Sequence, residues 1–190
     1  RTEFAREMMS GNMSQEKYKT FLWNIYLVYD LLEDVAASMG AFGPMDPTMP
    51  ADDLPLDGLK QADDIEADFK ELGGDMDNPP ATMAATEEYR NHIVKNIQHD
   101  KQKLLAHIYV NHMGDLSGGQ MIMKKTPGPN RYYKFKHKEV GDYKRIVKET
   151  INTYLNVYEH SVVPEAKYCF ESATKLFKEM KELHDLGTID

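Results

Sequence analysis

The apolar residues of this chain recur at intervals of three and four along most of its length, and no stretch alternates as a half-buried strand must. From Ser14, a residue suited to cap a helix, the positions Tyr18, Phe21, Leu22, Ile25, Val28, Tyr29 and Leu32 fall on one face, and Gly40 marks the end. Residues 41–55, AFGPMDPTMPADDLP, hold four prolines and read as loop. A polar helix is expected over 56–72, stopped by Gly73 and Gly74, and DMDNPPAT forms a second loop. Helical spacing resumes over 83–125 with a break at His99 and Asp100, and ends at Pro127 and Gly128. After the basic, aromatic loop PGPNRYYKFKHKEVG, two helices are expected over 142–159 and 164–186, the second with Pro164 in its first turn and Gly187 as its cap. The expected fold class is all-α, a single-domain multi-helix bundle over residues 1–190. A chain of 190 residues is long enough to bury its own core.

Composition narrows the uses of such a bundle. The single cysteine, Cys169, has no partner for an internal disulfide or a CxxC site and fits a reducing compartment. A net charge of -8 argues against nucleic acid or an anionic membrane as the main partner. No apolar run approaches the roughly 20 residues of a membrane span, so a soluble, cytoplasmic protein is expected. The start, RTEFAREMM, has neither an apolar signal core nor an initiating methionine, and we expect the natural N-terminus to lie upstream. The seven histidines are scattered, and His107 and His112, five apart, point in different directions around a helix. There is no H-E-x-x-H, no paired E-x-x-H and no G-x-S-x-G, so neither a di-iron oxidase nor a serine hydrolase is indicated.

One segment breaks the helical pattern. MGDLSGGQM, residues 113–121, places Gly114, Gly118 and Gly119 where an uninterrupted helix is otherwise expected. Each interior glycine costs a helix roughly 1 kcal/mol relative to alanine. The letters LSGGQ also occur in the signature of ABC-transporter ATPases, but none of the twelve glycines opens a G-x-x-x-x-G-K-[ST] phosphate loop, and no run of residues reads as a strand of the parallel sheet that would carry one. Gly114 and Gly118 lie four apart on one face. The bare backbone they expose suits either a closely packed neighbouring helix or a flat ligand lying against it, and the third glycine allows a kink.

AHIYVNHMGDLSGGQ, residues 106–120, is very similar to the distal-helix motif of the heme oxygenases. GNMSQEKYKTFLWNIYLVYDLLEDV resembles that family's second helix, and PEAKYCFESATKLFKEMKELHDL its last, after a two-residue shortening. DYKRIVKETINT resembles the family's F-K-x-x-x-R-x-x-x-N segment, read here at Tyr143, Lys144, Lys148 and Asn152. The resemblance covers most of the chain in the family's order.

It implies a fold holding heme between a proximal helix and a kinked distal helix. It also implies an oxidoreductase that uses heme b as both cofactor and substrate, with O2 and electrons from a ferredoxin or an NADPH-dependent reductase. The products would be biliverdin, favouring the α isomer, carbon monoxide and Fe2+. On this resemblance Gly114 and Gly118 let the backbone approach closely enough to steer O2 toward a meso carbon. Asp115 anchors a water network that delivers protons, with Tyr29 in the same network. Tyr109, Lys144 and Lys148 contact the propionates, with Arg145 in reserve, while Gly119 and Phe170 line the heme. Lys148 replaces the usual arginine and loses its bidentate fork. Asn111 also replaces an arginine of the distal network. Counting back from Gly11 and Phe4, the resemblance would place the proximal histidine about four residues before Arg1, so no metal-ligating residue for heme is expected within residues 1–190. A non-catalytic heme carrier or sensor is the alternative, and a bundle for another flat ligand a third.

Overall fold

The first helix is one the spacing analysis did not assign. In the computed structural model, which describes residues 2–41, 56, 59–135, 138–155 and 159–185, α1 runs Glu3–Ser10. Thr2 caps it by accepting the Ala5 N–H, and Gly11, at φ +82°, turns the chain away. Phe4 and Met8, four apart, are the residues it buries. Eight residues are too few for a clear periodic signal, so tertiary burial sustains this helix rather than local propensity.

The long helix predicted from Ser14 is present as α2, Gln15–Ser38, with the Ser14 hydroxyl accepting the Lys17 N–H at 3.2 Å. The proline-rich segment 42–55 lies outside the described residues. α3 is shorter than the expected 56–72, spanning Ala62–Glu71. Leu56 and Leu59 are buried ahead of it as non-helical anchors. Its N-terminus is capped from another helix, because the Glu33 carboxylate of α2 accepts the N–H groups of Gln61 and Ala62. Gly73, at φ +81°, closes it as expected.

The stretch 83–125 divides into α4, Ala84–His92, a π-helical turn Ile93–Ile97, α5, Lys101–Gly114, a second π turn Asp115–Gly119, and the short α6, Gln120–Ile122. The expected break is real: Asp100 caps α5 by accepting the N–H groups of Gln102 and Lys103, both at 3.1 Å. A 3-10 turn, Arg131–Tyr133, follows, then α7, Val140–Leu155, and α8, Glu159–Asp185. α8 begins before Pro164 rather than with that residue in its first turn, and Gly187 lies outside the described residues. No strand occurs among the described residues, and no helix there is long and apolar enough to cross a membrane.

α2 packs on α3, and α5 packs on both α7 and α8. One apolar cluster gathers Phe4, Phe21, Trp23, Phe69 and Met180, and a second gathers Leu32, Leu59, Ile93, Leu104 and Tyr143. Asn130 links the first cluster to the end of the glycine helix. It adopts a left-handed conformation at φ 49°, accepts the Tyr18 hydroxyl at 2.6 Å and donates its amide to the carbonyls of Met123 and Thr126. Asn130→Ala should cost about 3 kcal/mol in denaturant unfolding, since a buried phenol and two carbonyls lose their partner. A loss below about 0.5 kcal/mol would show that water replaces the amide.

Candidate functional site

The three glycines at the junction of α5 and the second π turn serve two purposes. A Cβ built on Gly114 or Gly118 would meet nothing within 4 Å, whereas one built on Gly119 would lie 2.4 Å from the Tyr133 ring. Close packing therefore accounts for Gly119, and it does not account for the other two. Gly114 and Gly118 face a cleft holding about 1050 Å³ of empty space, counted out into its open mouth. The π turn widens the helix where they lie, which is the bend that the glycine-rich sequence suggested.

The walls of this cleft come from elements far apart in the chain. α1 supplies Met8, α2 Phe21, Ile25 and Tyr29, α4 Tyr89, and α8 Phe170 and Leu176. Below the π turn, Tyr132 and Tyr133 are fixed by the 3-10 turn, which Arg131 ties to Asp68 of α3 at 2.9 Å. The Gln120 amide donates to the Tyr133 carbonyl at 2.9 Å and fastens the same turn to the helix. The lining is largely apolar, with a few polar groups gathered near the π turn.

Asp115 opens the π turn and is half-buried on the cleft wall. The Tyr29 hydroxyl donates to its Oδ2, so the two residues that the sequence suggested for one network are in direct contact. Burial in apolar surroundings pushes the Asp115 carboxyl up to about 7, against the opposing effect of the Tyr29 hydrogen bond. Burial and the adjacent carboxylate push the Tyr29 phenol well above its usual range. Tyr29 is thus a neutral donor near pH 7, and Asp115 changes its proton occupancy there. His112 sets its ring edge-on to Tyr29 at 5.5 Å, and burial lowers its pKa to about 4, which keeps it neutral.

Asn111 also lines the cleft and donates to the Tyr89 hydroxyl at 3.0 Å. The Tyr89 oxygen in turn lies 2.7 Å from His107 Nδ1. Tyr89 was not singled out from the sequence, because a tyrosine on an apolar helix face gives no signal apart from core packing.

Phe170 lies on the cleft and remains 65% exposed. Tyr109, Lys144 and Lys148 do not line it. Tyr109 is half-buried beside the second apolar cluster. Lys144 is half-buried and Lys148 exposed on α7, which packs against α5 and the π turn. Arg145 is engaged elsewhere, by Asp142 at 3.7 Å and Glu149 at 3.1 Å.

The sequence and the fold have counterparts among known proteins. The family model described as heme oxygenase matches residues 1–179. Heme oxygenase 2 of Mus musculus is 26% identical over 196 residues, covering 95% of this chain, and the heme oxygenase of Rhodella violacea is 25% identical over 190 residues, covering 93% of this chain and 78% of that protein. The chain spans 60% of the length of the mouse protein and 62% of its Rattus norvegicus counterpart. Its fold is similar to that of heme oxygenase-1 from the cyanobacterium Synechocystis, solved in complex with heme, at a TM-score of 0.76 and 19% identity over 96% of this chain and 83% of that one. The heme oxygenase of Leptospira interrogans superposes at 0.79 with 23% identity, covering 94% of this chain and 90% of that one. This chain belongs to the heme oxygenase family.

Proposed function

We propose that residues 1–190 act as one unit that binds heme b as substrate and cofactor and opens it, with O2 and electrons, to biliverdin, carbon monoxide and Fe2+. The observation that carries this reading is the open cleft against the bare backbone of Gly114 and Gly118, with Asp115 and Tyr29 beside it. The cleft fits a porphyrin in kind: it is apolar, it is open on one side for charged carboxylates, and a Cβ on either glycine would project into it. When bound, heme supplies the redox centre and the ring that is cleaved.

The chain's own residues set position and protonation. The absent side chains at Gly114 and Gly118 bring backbone to the ligand face and confine the reacting edge, which favours attack at the α position. Asp115 holds and releases a proton at Oδ2 near neutral pH, and Tyr29 fixes that carboxyl by donating to it. Asn111 and Tyr89 supply further polar groups on the same wall, replacing the family's arginine. Phe170 covers the ligand at the mouth. Tyr109, Lys144 and Lys148 reach the propionates by extending to the rim beside the π turn. Electrons come from a ferredoxin or an NADPH-dependent reductase, and the unpaired cysteine accords with a cytoplasmic setting.

Full-length protein given hemin, a reductase system and O2 should lose its Soret band as biliverdin absorption rises. A carrier or sensor would keep the Soret band under the same conditions. A bundle built for another ligand would give no Soret shift at all, and either result overturns the catalytic reading.

A further inference from the structure

On the far side of Tyr89 from the cleft, three side chains from three helices converge. His92 ends α4, His107 lies in α5 and Glu165 in α8. Their ligand-type atoms, two imidazole Nε2 and one carboxylate oxygen, all lie within 4.8 Å of one another. Glu165 Oε2 sits 2.7 Å from His92 Nε2 and 2.8 Å from His107 Nε2. His107 is fully buried, Glu165 is buried and His92 half-buried, so the cluster has one side toward solvent.

The second nitrogen of each ring is also held. His107 Nδ1 faces the Tyr89 hydroxyl at 2.7 Å and Cys169 Sγ at 3.0 Å, and His92 Nδ1 meets the exposed Asn96 amide at 3.1 Å. The His92 ring is further fixed by stacking on Tyr168, with centroids 3.7 Å apart and planes inclined at 15°. An imidazole that binds a metal through Nε2 is oriented by an acceptor for its Nδ1–H, the part that the Tyr89 oxygen can play for His107. A π turn, Ile93–Ile97, begins immediately after His92, and such turns are frequent at functional sites.

We propose that His92, His107 and Glu165 form a binding site for a divalent transition-metal ion such as Zn2+ or Fe2+, separate from the heme cleft. Two imidazoles and one carboxylate are a donor set suited to these ions and leave coordination positions for water. A tetrahedral ion about 2.1 Å from each ligand would set the three atoms about 3.4 Å apart, so the carboxylate oxygen, now 2.7 and 2.8 Å from the two imidazole nitrogens, would move about 0.6–0.7 Å from each, a shift within reach of side-chain rotation. The ion takes the place of the two Nε2–H protons now directed at Glu165, and each ring carries its proton on Nδ1 instead; for His92 this requires the exposed Asn96 amide, which now donates to Nδ1, to turn its Oδ1 toward the ring and accept. His107 then donates to the Tyr89 oxygen, so occupancy fixes a phenol that also lines the cleft. Entry is from the His92 side.

The test uses the heme-free chain, incubated with ZnCl2 and dialysed, with Co2+ absorption as a second probe of geometry. One Zn2+ per chain should be retained, and Co2+ should give the intense visible bands of four-coordination. His92→Ala and Glu165→Gln should each weaken Zn2+ binding at least about 100-fold, while His99→Ala, an exposed histidine outside the cluster, leaves it unchanged. Circular dichroism checks the fold, and should Glu165→Gln unfold, half-buried His92→Ala decides alone. No retained ion, or retention equal in wild type and His92→Ala, would overturn the site and leave a hydrogen-bonded cluster. Hemin binding is read in parallel, so failure here is distinguishable from failure of the heme reading.

Discussion

Asp115→Ala is expected to keep its affinity for hemin and to lose biliverdin formation by about 100-fold or more, the scale on which positioned acid–base groups contribute. The carboxyl lies beside the cleft and accepts the Tyr29 hydroxyl, so its removal takes away a proton site without emptying the binding wall. Turnover at the wild-type rate would eliminate that role. Asp115→Asn separates shape from titration. The folded carboxyl, at about 7, lies above the ordinary 3.8, so between those values the folded protein binds more protons than the unfolded chain. Stability contributed by this group therefore falls as pH rises from about 4 to about 7 and stays low above that. The Asn variant lacks the penalty and should exceed wild type by about 1–3 kcal/mol at pH 8, a figure reduced for the carboxyl's contact with the cleft, with the gap closing toward pH 4. Its turnover should also lack the wild-type inflection near pH 7. A stability difference independent of pH would mean that Asp115 titrates as an ordinary surface carboxyl.

Gly118→Leu should weaken hemin binding at least about tenfold, or alter which biliverdin isomer forms, because its side chain enters space that no protein atom occupies. Its neighbour should behave in the opposite sense. Gly119→Ala places a methyl against the buried Tyr133 ring and should destabilise the fold by about 1–3 kcal/mol, whereas Gly118→Ala should be neutral or stabilising by up to about 1 kcal/mol. Thermal unfolding measures both, and hemin titration separates the ligand effect from the folding effect. Wild-type affinity and isomer composition in Gly118→Leu would remove the steric role assigned to the bare backbone.

Most of the helices were legible in the sequence because their signals are local. Ser14 and Asp100 act as caps on their own chain neighbours, Gly73 ends α3, and the apolar spacing of α2 needs no distant contact to be recognised. α1 was not legible, since eight residues carry little periodicity and Phe4 and Met8 owe their order to burial. The start of α3 was misplaced because its cap, Glu33, comes from another helix.

The same division holds at the site. The motif around residues 113–121 indicated that backbone would be bared and that Asp115 would stand beside it, since both follow from residue type and spacing along one helix. It could not distinguish Gly118 from Gly119, a difference made by where the Tyr133 ring lies. Nor could it bring Tyr29 to Asp115, or His92 and His107 to Glu165, across separations of 58 residues or more in all but the His92–His107 pair. By itself the sequence determined an all-helical chain with one stretch of exposed backbone and a carboxyl at its edge, because helix periodicity and glycine act over a few residues. The tertiary structure decided which glycine packs and which faces space, and which distant side chains share a proton or converge on one oxygen, because those outcomes depend on how whole helices cross.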